Sequence, residues 1–209
     1  TKTAVCSVAA GLGEMAKEAD LTPLSAASIE ISLDAEDVLL CGVPSFGGRV
    51  PLTALERIKN LHGNGAAAVA VVTYGNRAFD DTFAELQDAL EAQGFVVVAG
   101  VAAVTQHSIV NQFGAGRPNA EDQTQLQAFG KEIAEKLTGT PKRAELPGNR
   151  PYLERHGGGL VPMVSDACKG CGKCVTHCPV GAIPKDNPKT IDKDLCVSCM
   201  GLSLIHISE

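Results

Sequence analysis

The sequence predicts a parallel α/β domain followed by a small metal-binding domain, and three observations carry that expectation. Apolar runs of strand length recur at Asp37–Val43, Ala66–Thr73 and Phe95–Val104, as expected of strands buried on both faces of a parallel sheet. Segments of helical periodicity alternate with these runs, the pattern of a sheet whose crossover helices cover it. Cys168, Cys171, Cys174, Cys178, Cys196 and Cys199 crowd into about thirty positions, while Cys6 and Cys41 stand alone.

The elements follow in order. Val5, Val8 and Leu12 recur at helical spacing, so a helix opens the chain, and Gly11 and Gly13 supply its stop. Met15–Leu21 and Ile29–Leu33 are short strand candidates. The Asp37–Val43 strand runs into Pro44. Pro51 opens the next helix as its first residue, with Leu52, Leu55, Ile58 and Leu61 on one side and Gly63-Asn64-Gly65 closing it. After the Ala66–Thr73 strand, Asp80 or Asp81 caps a helix carrying Phe79, Phe83, Leu86 and Leu90, with Gly94 beyond its end. The Phe95–Val104 strand is followed by a last helix, opened by Asn119-Ala120-Glu121 and lined by Leu126, Phe129, Ile133 and Leu137.

Composition narrows the function classes. With 209 residues, 44% hydrophobic and 20% charged, the chain has the make-up of a soluble globular protein of one large domain, or of a mid-sized and a small one. No apolar run approaches the roughly 20 residues of a spanning helix, so no membrane partner is expected. A net charge of −6 without a Lys/Arg block argues against nucleic acid. Residues 163–209 hold five Lys and five acidic residues, which places the whole negative balance in 1–162. Cysteine crowded into one segment, with no signal peptide, points to metal binding in a reducing cytoplasm and not to disulfides. Residues 139–162, rich in Gly, Pro and charge, read as a linker in which Tyr152 is the residue expected to pack against a domain.

The most specific motif is Cys168-x2-Cys171-x2-Cys174-x3-Cys178-Pro179. Three thiolates at i, i+3 and i+6 converge on one cubane, while the Cys before Pro ligates a second. Gly170 and Gly172 permit the tight wrap, and Val180-Gly181-Ala182-Ile183 supplies the small apolar packing that follows. Zinc sites pair two separated knuckles, unlike four Cys in eleven residues. Cys196-x2-Cys199 begins a second copy, but its third and fourth positions fall on Leu202 and His206. One cluster thus has Cys168, Cys171 and Cys174 but no fourth ligand, and the other has Cys196, Cys199 and Cys178 but no third. The tail at 202–209, LSLIHISE, resembles an in-frame translated sequencing adapter and is expected to be non-native, with His206 at a ligand position by coincidence.

In parallel sheets ligands bind beyond the carboxyl ends of the strands, which singles out Pro44–Val50 and Tyr74–Asp81. On GVPSFGGRVP (Gly42–Pro51), VVTYGNRAFDD (Val71–Asp81) and GAGRPNAED (Gly114–Asp122), residues 1–138 resemble a flavodoxin-like FMN-binding domain. With the cysteine segment at 163–201, the chain resembles the small EFR1-type ferredoxins that join such a domain to a two-cluster ferredoxin. The resemblance implies a doubly wound parallel sheet lacking its first strand, with an incomplete α+β ferredoxin-like domain behind it. It also implies two [4Fe–4S] clusters in the intact protein, and FMN. Of the family's phosphate loop, S-x-T-G-x-T, only Thr1 is matched; the rest is expected to precede this chain.

The remaining flavin residues are Pro44, Ser45, Phe46, Gly47, Gly48, Thr73, Tyr74, Gly75, Asn76 and Arg77. Glycines 47, 48 and 75 admit close backbone approach to a flat ring, Phe46 and Tyr74 are placed to stack on it, and Asn76 and Arg77 to reach its pyrimidine end. For His107, Arg117 and Asp122, a surface His and a helix-capping Asp outweigh a cofactor role.

The expected function is electron transfer between FMN, [4Fe–4S] clusters and redox partner proteins. No catalytic triad or carboxylate pair stands out. A flavin-dependent reductase holding an organic substrate over Phe46 and Tyr74, or a non-redox scaffold for the cysteine segment, are the alternatives.

Overall fold

A computed structural model describes residues 1–13, 16–140, 142–156 and 159–204. The chain divides into two units, the first formed by Thr1–Ala19 with Glu30–Arg155, the second by Asp20–Ile29 with the chain from His156 onward.

In the first unit, helix α1 (Lys2–Leu12) precedes strands β1 (Ile31–Ser32) and β2 (Val38–Pro44). Helix α2 (Leu52–Ile58), strands β3 (Leu61–His62) and β4 (Ala67–Tyr74), helix α3 (Thr82–Glu91), strand β5 (Val96–Val104) and helix α4 (Ala120–Leu137) follow. The main sheet is parallel in the order β2-β4-β5, with Val38 opposite Ala67 and Ala67 opposite Val96. A register shift at Ala68/Val69 leaves Val98 unpaired in the ladder. Lys136 donates to the Val98 carbonyl at 2.6 Å, supplying a partner at the bulge.

The central strand β4 is buried from Ala67 to Thr73, which is why its sequence is continuously apolar. Ala67, Val69 and Val71 join Ala4 and Val8 of α1 and Leu126 and Ile133 of α4 in one core. Helix α3 packs on β4 and β5. The expected α/β sheet is therefore present, with its strands within a residue or two of the apolar runs.

Four local expectations are corrected. Gly11 does not end α1. A Cβ there would run into the carbonyl oxygen of Gln127, and one on Gly130 into that of Val8, so the pair permits close crossing of α1 and α4; Gly13 alone, at φ 81, is the left-handed cap. Leu61 leaves the helix because Ile31 and Leu33 donate to the carbonyls of Asn60 and His62, drawing residues 61–62 into a two-stranded parallel pair. Ile29–Leu33 shortens to Ile31–Ser32. The candidate strand Met15–Leu21 begins outside the described residues, and residues 16–21 form no strand.

The expected linker divides. Residues 142–155 lie along α3 as a polar strap. Ala144 donates to Val97 of β5 at 2.8 Å and accepts from Gln87 at 2.6 Å. Arg143 pairs with Glu91, Arg150 with Asp88, and Arg155 with Glu85. Asp81, Glu85, Asp88 and Glu91 share one helical face, and the strap covers it. Both sides of α3 are thereby occupied, and Thr82–Gln87 is buried throughout.

The second unit is loop-rich. Its regular elements are short 3₁₀ turns at Leu24–Ser28 and Gly201–Leu204 and helix α5 (Lys173–His177). No strand occurs among its described residues, so the β component of the expected α+β domain is not found there. Its small core gathers Cys178, Ala182 and Ile183, with Cys174, Val175, Val180, Ile191, Cys196 and Leu202 against them. His206 and residues 205–209 of the tail lie outside the described residues.

Candidate functional site

The cysteine loop is built from turns, not from a ladder. Gly170 and Gly172 sit at φ 66 and 73 with open space where a Cβ would be, so each is required for its conformation and not for its packing. Gly172 starts α5, which carries Cys174, and the Cys178 N–H closes it on the Val175 carbonyl. Cys178 is buried, while Cys171 is exposed and Cys168 and Cys174 are intermediate.

The Cys178 Sγ accepts the Ala182 N–H at 3.2 Å, and the Cys199 Sγ accepts the Gly201 N–H at 3.4 Å. Asp192 donates its backbone N–H to Ala182 at 2.8 Å. Its carboxylate accepts from Asp194 and Leu195 at 2.9 and 3.1 Å, shaping the turn into Cys196. Ser198 and Met200 flank Cys199 at φ 51 and 56, a conformation uncommon for side-chain-bearing residues and concentrated at functional loops.

All six thiols are free. Among the described residues, no three His, Cys, Asp or Glu side chains converge as a single metal ion requires. A cubane presents separate iron corners to its thiolates and asks for a wider set. Cysteines on a glycine-relaxed loop, with backbone N–H groups aimed at sulfur, fit such a cluster.

The second candidate site lies at the carboxyl ends of β2, β4 and β5, and the structure changes how its residues are read. Thr1 Oγ1 and Thr73 Oγ1 are 2.7 Å apart. Pro44 lies opposite Thr73, and Ser45 donates its N–H to the Thr73 carbonyl at 2.8 Å while its Oγ accepts from Thr82. Phe46 and Arg49 exchange backbone hydrogen bonds around Gly47 and Gly48, at φ 57 and 80. That is the positive-φ pair of a tight hairpin turn, so the turn itself demands the glycines.

The bare faces of the glycines are also taken by this chain. A Cβ on Gly48 would collide with Asp80, and one on Gly75 with the His107 imidazole. Tyr74 packs edge-on against Phe79 at 5.4 Å, and Phe79 against Phe83 at 5.1 Å. Asn76 adopts φ 61, and Arg77 is largely exposed, pairing with Asp80 at 3.4 Å. The cleft between Ser45, Gly48, Gly75, Arg77, Asp80 and His107 encloses about 100 Å³, below the roughly 300–1,000 Å³ of common cofactor pockets. It does not enclose a whole flavin ring system.

Sequence reasoning set His107 aside, yet it lines this cleft. Its Nδ1 accepts from the N–H groups of Ile109 and Val110 at 3.1 and 3.0 Å, which leaves the ring proton of the neutral form on Nε2. No spacing rule marks that role, because it depends on Gly75 lying beneath the ring. Asp122 forms the capping box of α4 with Asn119 and pairs with Arg117, the helix-capping reading.

Asp81, expected as a side-chain cap, is the N-cap residue of α3 but makes no side-chain cap bond. Its carboxylate accepts from Asn149 N–H and Nδ2 and from Leu153 N–H at 2.6, 3.0 and 2.6 Å, and its own N–H donates to Gly48. Those backbone donors hold its carboxyl below the usual carboxylate range. Tyr152 stacks under the Arg49 guanidinium at 4.6 Å and donates to Asp88; burial, then Asp88, pushes its phenol up to about 12.

Residues 161–183 match the 4Fe-4S binding domain family. No curated protein matches the chain. No helix among the described residues is long and apolar enough to cross a membrane.

Proposed function

We propose that this chain is an electron-transfer protein whose cysteine segment holds [4Fe–4S] clusters and whose α/β unit serves a flavin. The observation that carries it is Cys168-x2-Cys171-x2-Cys174-x3-Cys178-Pro179 lying within the matched 4Fe–4S binding segment. Cys168, Cys171 and Cys174 are the ligands of one cluster, and Cys178 with Cys196 and Cys199 the ligands of another. A bound cluster supplies one-electron transfer, at a potential set by its thiolates, N–H···S bonds and burial.

This chain's own residues do the holding. Gly170 and Gly172 bend the loop, Ala182 and Gly201 direct N–H groups at sulfur, and the Cys178 core limits water. The clustered cysteine spacing is that of metal ligands, which favours a reducing compartment, the cytoplasm, with redox proteins as partners. Anaerobic reconstitution with iron and sulfide, followed by iron counting and electron paramagnetic resonance of the dithionite-reduced protein, tests the reading. A [4Fe–4S] signal that weakens on Cys171→Ala, with less iron bound, is expected, and stoichiometric zinc without iron overturns it.

The flavin part rests on the resemblance of the α/β unit to flavodoxin-like domains and on loops from β2, β4 and β5 meeting at one cleft rimmed by Ser45, Arg77, Asp80 and His107. FMN is the flavin proposed, contacting Thr1, Pro44 to Gly48 and Thr73 to Arg77. Flavin exchanges one or two electrons and so would link a two-electron donor to one-electron partners. Fluorescence titration of the full chain with FMN and riboflavin tests it. Absence of saturable binding by either returns the α/β unit to a scaffold for the cysteine segment.

A further inference from the structure

The second unit includes a segment from far upstream. Residues Asp20–Ile29 cluster with the chain from His156 onward, although the sequence places them between α1 and β1. The contact falls at the turn that follows Cys178. Gly181 sits at φ 69, and a Cβ built on it would lie 3.2 Å from Leu24 Cδ2, so the leucine methyl rests on the glycine's bare face. Leu24 remains 49% exposed, and Ala26, two residues on, is 1% exposed. The segment is thus seated on the unit, with Leu24 half covered by what it touches.

That turn is the support of a sulfur. Ala182, next to Gly181, directs its N–H at Cys178 Sγ, and Cys178 and Ala182 are both buried. We infer that Asp20–Ile29 is a wall of the iron–sulfur unit and that Leu24 is a positioning residue for the Cys178 thiolate, holding the Pro179–Ala182 turn closed over it.

The physical consequence has a sign. A reduced cluster carries one more negative charge than the oxidised one, and apolar cover penalises the more charged state. Leu24 therefore lowers the potential of the cluster that Cys178 ligates, and stripping it raises that potential. An open turn also admits solvent to the sulfur, which acts in the same direction. The inference rests on Cys178 being a cluster ligand.

The test uses the full chain with Leu24→Ala, Leu24→Asp and Leu24→Met. In the metal-free protein, iodoacetamide labelling of each cysteine is followed by mass spectrometry. After reconstitution, the midpoint is read by an anaerobic redox titration monitored by electron paramagnetic resonance. Leu24→Ala and Leu24→Asp should label several-fold faster at Cys178 but not at Cys171, and Leu24→Ala should shift the midpoint to more positive values, whereas the added carboxylate of Leu24→Asp opposes that shift; Leu24→Met should stay near the parent. Gly181→Ala, strained at positive φ and pressing on Leu24, should label in the same direction without touching residue 24. Unchanged Cys178 labelling in both Leu24→Ala and Leu24→Asp overturns the inference. Cys178→Ala separates the two readings: iron and sulfide equal to the parent would overturn the ligand assignment itself, whereas lost iron alongside silent Leu24 variants would overturn the wall alone.

Discussion

The Arg155 guanidinium donates to Glu85 Oε1 at 2.6 Å across 70 residues of chain. The same carboxylate accepts two bonds from Arg49, at 2.9 and 2.6 Å, and the Val50 N–H at 2.8 Å. Its side chain is only 7% exposed. A buried carboxylate so surrounded has all its charge compensated, and the glycine turn at 47–48, helix α3 and the strap meet on it.

Removing that carboxylate strands its donors. Glu85→Ala should destabilise the α/β unit by about 3–5 kcal/mol, the cost of breaking a buried ion pair from one side. Arg155→Ala removes two bonds, to Glu85 and to the Val50 carbonyl, but from a side chain 31% exposed and with Arg49 and the Val50 N–H still on the carboxylate, so it should cost less, about 1.5–3 kcal/mol. Urea unfolding followed by circular dichroism measures both. Equal costs would mean that Arg155 carries the network.

Asp81 makes the strap acid-sensitive. Its folded carboxyl titrates below its unfolded value, so its contribution is present above the unfolded carboxylate range, about pH 4, and is lost as pH falls through the folded value. Asp81→Asn should be less stable than the parent at pH 7, and the gap should close at acid pH. Proteolysis of the strap at pH 7 and pH 3 reports it; a gap that widens on acidification would contradict the assignment.

The α1–α4 crossing leaves no room for a methyl group. Gly11→Ala and Gly130→Ala each place a Cβ against backbone carbonyl oxygens of the facing helix, which cannot swing aside as a side chain would. Each should cost about 1–3 kcal/mol as overpacking, despite the higher helix propensity of alanine. Thermal unfolding decides between the two effects; stabilisation would show that the helices separate freely.

Metal removal should act on one unit. The second unit has few regular elements and a small core shared with its cysteines, so binding free energy and folding free energy are coupled there. Stripping iron with a chelator and oxidant should expose 159–204 to protease while α3, β4 and β5 stay protected. Uniform protection before and after would show that the cysteine core folds without its cluster.

The alternation of apolar strands with amphipathic helices, and the cysteine spacing, were legible in one dimension because each depends on local periodicity or on ligands a few residues apart. The buried strand β4 and the capping box at Asn119 and Asp122 are of that kind. What the residues at the α/β cleft do was not, since the glycines at 47, 48 and 75 read as room for a ligand. Tertiary structure gives 47–48 to a tight turn and the faces of Gly48 and Gly75 to Asp80 and His107. Nor does sequence show that 142–155 is a strap. Its composition is that of a linker, and its partners include the acidic side chains Asp81, Glu85, Asp88 and Glu91, whose spacing becomes a surface only once α3 is wound. Leu24 is the extreme case, for no local rule connects a leucine near the start of the chain to a turn after Cys178. Long-range packing decides such contacts, because it depends on which surfaces the completed elements leave uncovered.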